Sequence, residues 1–209
     1  MAKFTATFAR RILLNMAKLP DVVFVLGAPG AGKGTQSKRI VEDFGYTHLS
    51  VGDLLRAERS RDGSAVGRLI DTCIREGQIV PIKITINLIK KAMTDVMELD
   101  NNKSSFLIDG FPRNEDNVKG WTTHMEGKAN VKFVLFFDCD LEICKKRCLD
   151  RSQSSGRVDD NEESLNKRIQ TYLKSTKPII DQYEKEGKVR RVDASGSVGE
   201  IFEKLKTFF

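Results

Sequence analysis

Residues 22–36 read VVFVLGAPGAGKGTQ. Five apolar residues, Val22 to Leu26, run without a break into Gly27. A short apolar run closed by glycines predicts a strand buried on both faces of a parallel sheet. The loop that follows, Gly27 through Lys33, fits G-x-x-x-x-G-K. Glycines let backbone N–H groups converge on a phosphate where a Cβ would block the approach. Lys33 adds a point charge, and the next helix turns its positive end to the same place. The residue after the lysine is Gly34, and the hydroxyl comes one later, at Thr35. The glycine pattern alone also fits an ordinary strand–turn–helix connection. The strand before it and the helix-like TQSKRIVEDF after it weigh against that reading.

A chain of 209 residues suits one α/β domain with insertions. Apolar content of 40% and charged content of 31% are those of a water-soluble globular protein, and no run of about 18 apolar residues predicts a membrane span. The net charge of +6 permits nucleic acid as a partner, and equally suits an enzyme with polyphosphate ligands. Several arginines fall beside phosphate-type loops, which favours the second. Cys73, Cys139, Cys144 and Cys148 form no C-x-x-C pair. Reduced, mostly buried thiols are expected, and zinc is not. His48 and His124 stand alone and read as packing or surface residues.

The first twenty residues, MAKFTATFARRILLNMAKLP, are basic and free of acid, with Phe4, Phe8 and Ile12 spaced by four. Three readings fit this extension: a mitochondrial transit peptide, a solvated leader, or an upstream extension before an alternative start at Met16. Beyond it, apolar runs alternate with helical patterns, as a βαβ architecture requires. Strands are predicted over 22–26, 47–50, 105–108, 131–137 and 189–192. Helices are predicted over 35–44, 53–59, 65–76, 84–98, 116–123, 141–150, 161–186 and 198–208. Pro178 lies inside the penultimate one, so a kink is expected near Ser175 and Thr176. Two stretches fit a sheet core poorly. One is the run of short helical segments from Leu54 to Val80. The other is the polar RSQSSGRVDD at 151–160, read as a flap able to close over ligands. As exposed charges, its arginines Arg151 and Arg157 are expected to matter for rate far more than for folding.

Residues 105–113 read SFLIDGFPR. The strand ends in Asp109, Gly110 turns the chain and Pro112 stiffens it. An acid at the carboxyl end of a central strand sits where open α/β sheets bind ligands, and beside a phosphate loop its task is to hold the water shell of Mg²⁺. Arg113 follows on a rigid turn suited to bidentate phosphate binding. Arg56 and Arg168, on helices, would by spacing alone be solvated surface charges.

From Val22 to the C-terminus, about nine-tenths of its length, the chain resembles the nucleoside monophosphate kinases. GAPGAGKGTQ, HLSVGDLLR, EGQIVP, FLIDGFPRN, SSGRVDDNEES and KRIQTYLKSTKPII occur in family order and spacing. The resemblance implies a P-loop three-layer α/β sandwich with a central five-stranded parallel sheet. It also implies a domain over 21–209 with a helical acceptor-binding insertion at about 50–80 and a short lid at about 150–160. Adenylate-specific members carry glutamine where this chain has Asn117, and threonine where it has Val51. The resemblance therefore points to UMP, CMP and dCMP as acceptors. AMP as acceptor, or a non-catalytic nucleotide-binding module, are the rival readings.

The same resemblance implies the roles. Gly30, Ala31, Gly32, Lys33, Gly34 and Thr35 wrap the ATP phosphates, with Arg151 and the backbone of Gly196 also on the ATP side. Arg56, Arg113, Arg157 and Arg168 hold the acceptor phosphate. Gln78, Ile79 and Val80, with Gly110, Phe111 and Pro112, line the acceptor, and Asn117 reads its base. Lys33, Arg113, Arg151, Arg157 and Arg168 form the catalytic set, and Asp109 reaches Mg²⁺ through water. A monomer is expected, in the cytoplasm and also the nucleus, with no nucleic-acid or membrane partner.

Overall fold

The computed structural model of the chain describes residues 19–155 and 159–209. The extension up to Lys18 and the flap arginine Arg157 therefore lie outside the described residues. Five strands form one sheet: β1 (Asp21–Gly27), β2 (Thr47–Ser50), β3 (Ser105–Asp109), β4 (Asn130–Asp138) and β5 (Val189–Asp193). All neighbours are parallel, in the order β2-β3-β1-β4-β5. The chain leaves β1 toward one edge and β4 toward the other, so a crevice opens at the carboxyl ends of the central strands.

β1 runs through the middle because its sequence has no polar face. Val22, Phe24 and Leu26 join the core on one side and Val23 and Val25 the core on the other, each at most 1% exposed. The first core is covered by α2 (Val51–Ser60), α3 (Gly67–Arg75), α4 (Ile82–Leu99), α5 (Glu115–Met125) and α8 (Lys177–Lys185). Phe24, Phe111 and Trp121 meet edge-on or tilted in its centre. The second is covered by α1 (Lys33–Phe44), α6 (Leu141–Ser155) and α9 (Val198–Leu205). Two layers of helix on a parallel sheet are what the alternation of apolar runs and helical patterns predicts. No helix among the described residues is long and apolar enough to cross a membrane.

Two boundaries depart from expectation, each for a local reason. α6 does not stop at Asp150 but continues to Ser155. Arg151 to Ser155 holds no glycine or proline, so nothing in it ends a helix. Half of the expected polar flap is thus helix. The long helix predicted over 161–186 is three segments: α7 (Glu162–Thr171), a π-helical turn at Tyr172–Thr176, and α8 with Pro178 in its first turn. Proline offers no N–H and its ring collides with the carbonyl four residues back. Widening the preceding turn to π spacing accommodates both without breaking the helix axis.

Candidate functional site

The N-terminus of α1 is the natural starting point. Side chains cap α2 (Ser50), α5 (Asn114), α7 (Asn161) and α9 (Ser197), each accepting from a backbone N–H of the first turn. α1 has Gly32 in the capping position and no side-chain cap. Its first N–H groups are left for an anion, which the helix dipole favours. Gly30 has φ of 88°, and a Cβ there would lie 2.2 Å from the carbonyl oxygen of Cys144, so only glycine lets the loop lie this close to α6. Lys33 Nζ folds back onto the carbonyls of Gly27 and Ala28, at 2.9 Å each. Gly34 and the exposed Thr35 continue α1.

Asp109 ends β3, in register with Val25 of β1 and Ser50 of β2. Its Oδ2 lies 3.5 Å from Nε2 of His48, a residue expected from the sequence only to pack or to face solvent. Burial holds the Lys33 ammonium below the usual lysine range. Asp109 opposes this, while the guanidinium groups of Arg113 and Arg168 add to it. Arg113 is likewise lowered, by burial first and then by Arg168. The lysine, the carboxylate and two arginines that the sequence spreads over 33–168 thus sit in one electrostatic field at the carboxyl end of the sheet.

The Gly110–Arg113 turn is held from several directions. The Arg113 Nε donates to Gly110 O at 2.7 Å, the Arg113 N–H donates to Asn117 Oδ1 at 3.1 Å, and Thr176 Oγ1 donates to Arg113 O at 3.0 Å. Gly110 has φ of 79°, and a Cβ there would stand 2.8 Å from an Arg113 guanidinium nitrogen. Thr176 belongs to the π turn, so the proline that widened that helix also delivers the hydroxyl that anchors this loop. The Phe111–Pro112 peptide is cis.

One cavity, open to solvent, brings together Arg56, Gln78, Ile79, Val80, Gly110, Arg113, Asn117 and Arg168. Phe111 and Pro112 do not line it. Phe111 is fully buried in the aromatic core and Pro112 is buried, so their side chains do not face it. Two buried polar atoms on residues of the cavity wall, Asn117 Nδ2 and Asp159 Oδ1, have no hydrogen-bond partner among the described residues. Buried polar groups are nearly always satisfied, so these two atoms are available to a ligand in the cavity.

Beside the expected flap, Arg151 makes a bidentate pair with Asp160, both bonds at 2.7 Å. Arg168 reaches Asp159 Oδ2 at 2.9 Å and Asp160 Oδ1 at 3.2 Å. The Asp160 side chain is fully buried. These two acids escaped the sequence reading, which treated 151–160 as polar loop. An acid pair following two arginines was the available signal. Arg147 also escaped it. Its guanidinium donates to the carbonyls of Ala194, Ser195 and Gly196, at 2.8, 3.3 and 3.2 Å, and so fixes the exposed loop that carries Gly196. One turn of helix separates Arg147 from Arg151, which places both on one face of α6.

Among the described residues no group of three or more His, Cys, Asp or Glu could hold a metal ion. A single strand-end carboxylate, Asp109, is nevertheless the donor set that suits Mg²⁺, which keeps several waters and takes its remaining ligands from phosphates.

The adenylate kinase family model matches residues 25–188. The chain is 67% identical to a UMP-CMP kinase of Danio rerio over 187 residues, which is 90% of this chain and 95% of that protein. It is 67% identical to the UMP-CMP kinase of Gallus gallus and 62% identical to that of Homo sapiens. Each match covers 91% of this chain and 97% of the relative.

Proposed function

This chain belongs to the adenylate kinase family, and we propose that it moves the terminal phosphoryl group of ATP onto UMP and CMP. It is a phosphotransferase acting on nucleoside monophosphates. The observation that carries the reading is the pairing of two anion sites. The uncapped N-terminus of α1 with Lys33 faces the charge field shared by Arg113 and Arg168. One site takes a donor phosphate and the other an acceptor phosphate.

The chemistry needs no covalent intermediate and no strong base. Phosphoryl transfer passes a loose transition state whose charge is spread over the equatorial oxygens, so the protein's task is alignment and electrostatic stabilisation. Residues 30–35 wrap the ATP phosphates, and Lys33 leaves the carbonyls of Gly27 and Ala28 to follow the transferred group. Arg56, Arg113 and Arg168 hold the acceptor phosphate, joined by Arg157 from the lid, while Arg151 and Gly196 serve the ATP side. Gln78, Ile79 and Val80 flank the base, and Asn117 meets its edge. Asp109 fits a Mg²⁺ ion through water, and that ion would neutralise phosphate charge when bound. Lid closure excludes water that would otherwise take the phosphoryl group.

Pyrimidine selectivity rests on Asn117 and Val51, which share the acceptor cavity. Val51 is 3% exposed and narrows the space a purine would need. We take the protein to act as a monomer in the cytoplasm and nucleus, with 1–20 as an extension outside the kinase domain. The test is an ATP- and Mg²⁺-dependent transfer assay across UMP, CMP, dCMP, AMP and GMP. UMP and CMP are expected to react fastest, and faster turnover of AMP than of both pyrimidines would overturn the assignment.

A further inference from the structure

Uracil and cytosine share an acceptor at O2 and are opposite in character at the next two positions. Uracil offers N3–H as donor and O4 as acceptor, whereas cytosine offers N3 as acceptor and its N4 amine as donor. A site that meets this edge directly in both bases needs a group able to donate to one and accept from the other.

Asn117 is not free to be that group. Its Oδ1 is engaged by the Arg113 N–H at 3.1 Å, and it is 2% exposed. Turning the amide over would set Nδ2 against that N–H, donor against donor, in a buried place. Asn117 therefore offers Nδ2, a donor only, which suits a base oxygen or the N3 of cytosine. The arginines on the cavity wall only donate, and an ionised Asp159 only accepts. Gln78 is exposed, and the Cys73 thiol is a weak partner in either sense.

Thr85 remains. It lies on α4, is 4% exposed, and lines the same cavity as Asn117 and Val51. Its Oγ1 is 3.4 Å from Val80 O and 3.5 Å from Pro81 O. Hydroxyl hydrogen bonds usually measure about 2.7–2.8 Å, so neither carbonyl holds this proton firmly. The ordinary account of a helical threonine is a bond to the carbonyl one turn back; here that contact is at the outer limit of a bond. A loosely held hydroxyl in a buried cavity rotates to suit its partner, as donor or as acceptor.

We infer that Thr85 is the specificity-determining residue that lets one cavity take uracil and cytosine alike. Its hydroxyl accepts from the uracil N3–H and donates to the cytosine N3, while Asn117 Nδ2 supplies the fixed donor to O2, the acceptor that the two bases share. The inference rests on the pyrimidine reading of the site and goes beyond it, because it separates tolerance of two bases from rejection of purines.

The experiment compares Thr85→Val, which keeps the shape and deletes the hydroxyl, with Thr85→Ser, which keeps the hydroxyl. Calorimetric titration with UMP and with CMP, without ATP, reads binding directly. Thr85→Val is expected to weaken both nucleotides by about tenfold, the value of one lost hydrogen bond in a desolvated site, and Thr85→Ser to stay within about threefold of the parent. Unchanged binding by Thr85→Val overturns the inference. So does a loss confined to one base, since a fixed donor or acceptor would give that result. Should Thr85→Val not fold, Thr85→Ala is held to the same outcomes. Turnover of UMP, CMP and AMP by the unaltered protein keeps the two claims apart. Preference for AMP overturns the pyrimidine reading itself, whereas pyrimidine preference with an indifferent Thr85→Val overturns this inference alone.

Discussion

The backbone N–H of Arg113 donates to Oδ1 of Asn117 at 3.1 Å. A residue proposed to hold phosphate and one proposed to read the base are thereby fixed to each other within a single turn of chain. The same asparagine stands in the first turn of α5, where its backbone N–H donates to Asn114 Oδ1 at 2.9 Å. Asn117 is structural on its carbonyl side and available on its amine side, and the two roles separate by mutation.

Asn117→Asp retains an oxygen for the Arg113 N–H and removes the donor. It is expected to lower kcat/KM for UMP and CMP by at least about tenfold, the loss of a hydrogen bond in a site built to make it. Asn117→Ala removes both functions and should in addition cost about 1 kcal/mol of stability. Steady-state kinetics and thermal melting of the two variants decide it; parental KM values in Asn117→Asp would mean that the amide does not read the base.

The family resemblance puts Val51 and Asn117 where adenylate-specific members have threonine and glutamine. Val51→Thr combined with Asn117→Gln is expected to move selectivity toward AMP. The readout is kcat/KM for AMP relative to UMP and CMP, and a ratio unchanged from the parent would remove these residues from acceptor choice.

Arg151 is more than an exposed charge. Its guanidinium pairs through two bonds with Asp160, whose side chain is fully buried. The reading of Arg151 as an exposed charge is therefore corrected, and its removal is expected to cost folding as well as rate. Arg151→Ala withdraws one partner from a buried carboxylate, an event that typically costs about 3–5 kcal/mol. Arg168 still contacts Asp160 at 3.2 Å, so we expect a smaller loss, on the order of 2 kcal/mol, together with a fall in turnover. Denaturant unfolding that matches the parent would show that the pair contributes nothing.

Lys33 sets an alkaline limit. Its ammonium is held below the ordinary lysine value of 10.5, chiefly by burial. In free enzyme it should lose its proton, and with it the phosphate attraction, before an ordinary lysine would. Bound phosphates favour the charged form, so the alkaline limb of kcat/KM is expected at lower pH than that of kcat. Lys33→Arg should move the kcat/KM limb upward. For stability the sign is the reverse of the usual paired lysine. Between the lowered native value and 10.5 the unfolded chain binds more protons, so stability rises with pH across that window and Lys33 disfavours folding below it. Lys33→Met should thus abolish transfer while melting, without nucleotide at neutral pH, no lower than the parent. A clear drop in melting temperature would show that its bonds to Gly27 and Ala28 outweigh its desolvation.

Much of this protein is written locally. An unbroken apolar run such as Val22–Leu26, short, rich in valine and closed by glycine, has no polar face to show to water, so it specifies a strand buried on both faces. The five strands, the phosphate loop and the position of the disturbance before Pro178 are all short-range consequences of residue type. What the chain could not reveal by itself are relations between distant segments. That Thr176 anchors Arg113 depends on a π turn bringing a hydroxyl to a loop sixty-three residues earlier. That Asp160 is buried, and so turns two surface-like arginines into structural partners, depends on α6 and α7 closing over it. That His48 meets Asp109, and that Thr85 shares a cavity with Asn117, depends on strand register and helix packing. Propensity and periodicity act over one or two turns of chain, and they decide which elements form. Desolvation and hydrogen-bond satisfaction act between elements, and they decide which polar groups are held in place and which are left for a ligand.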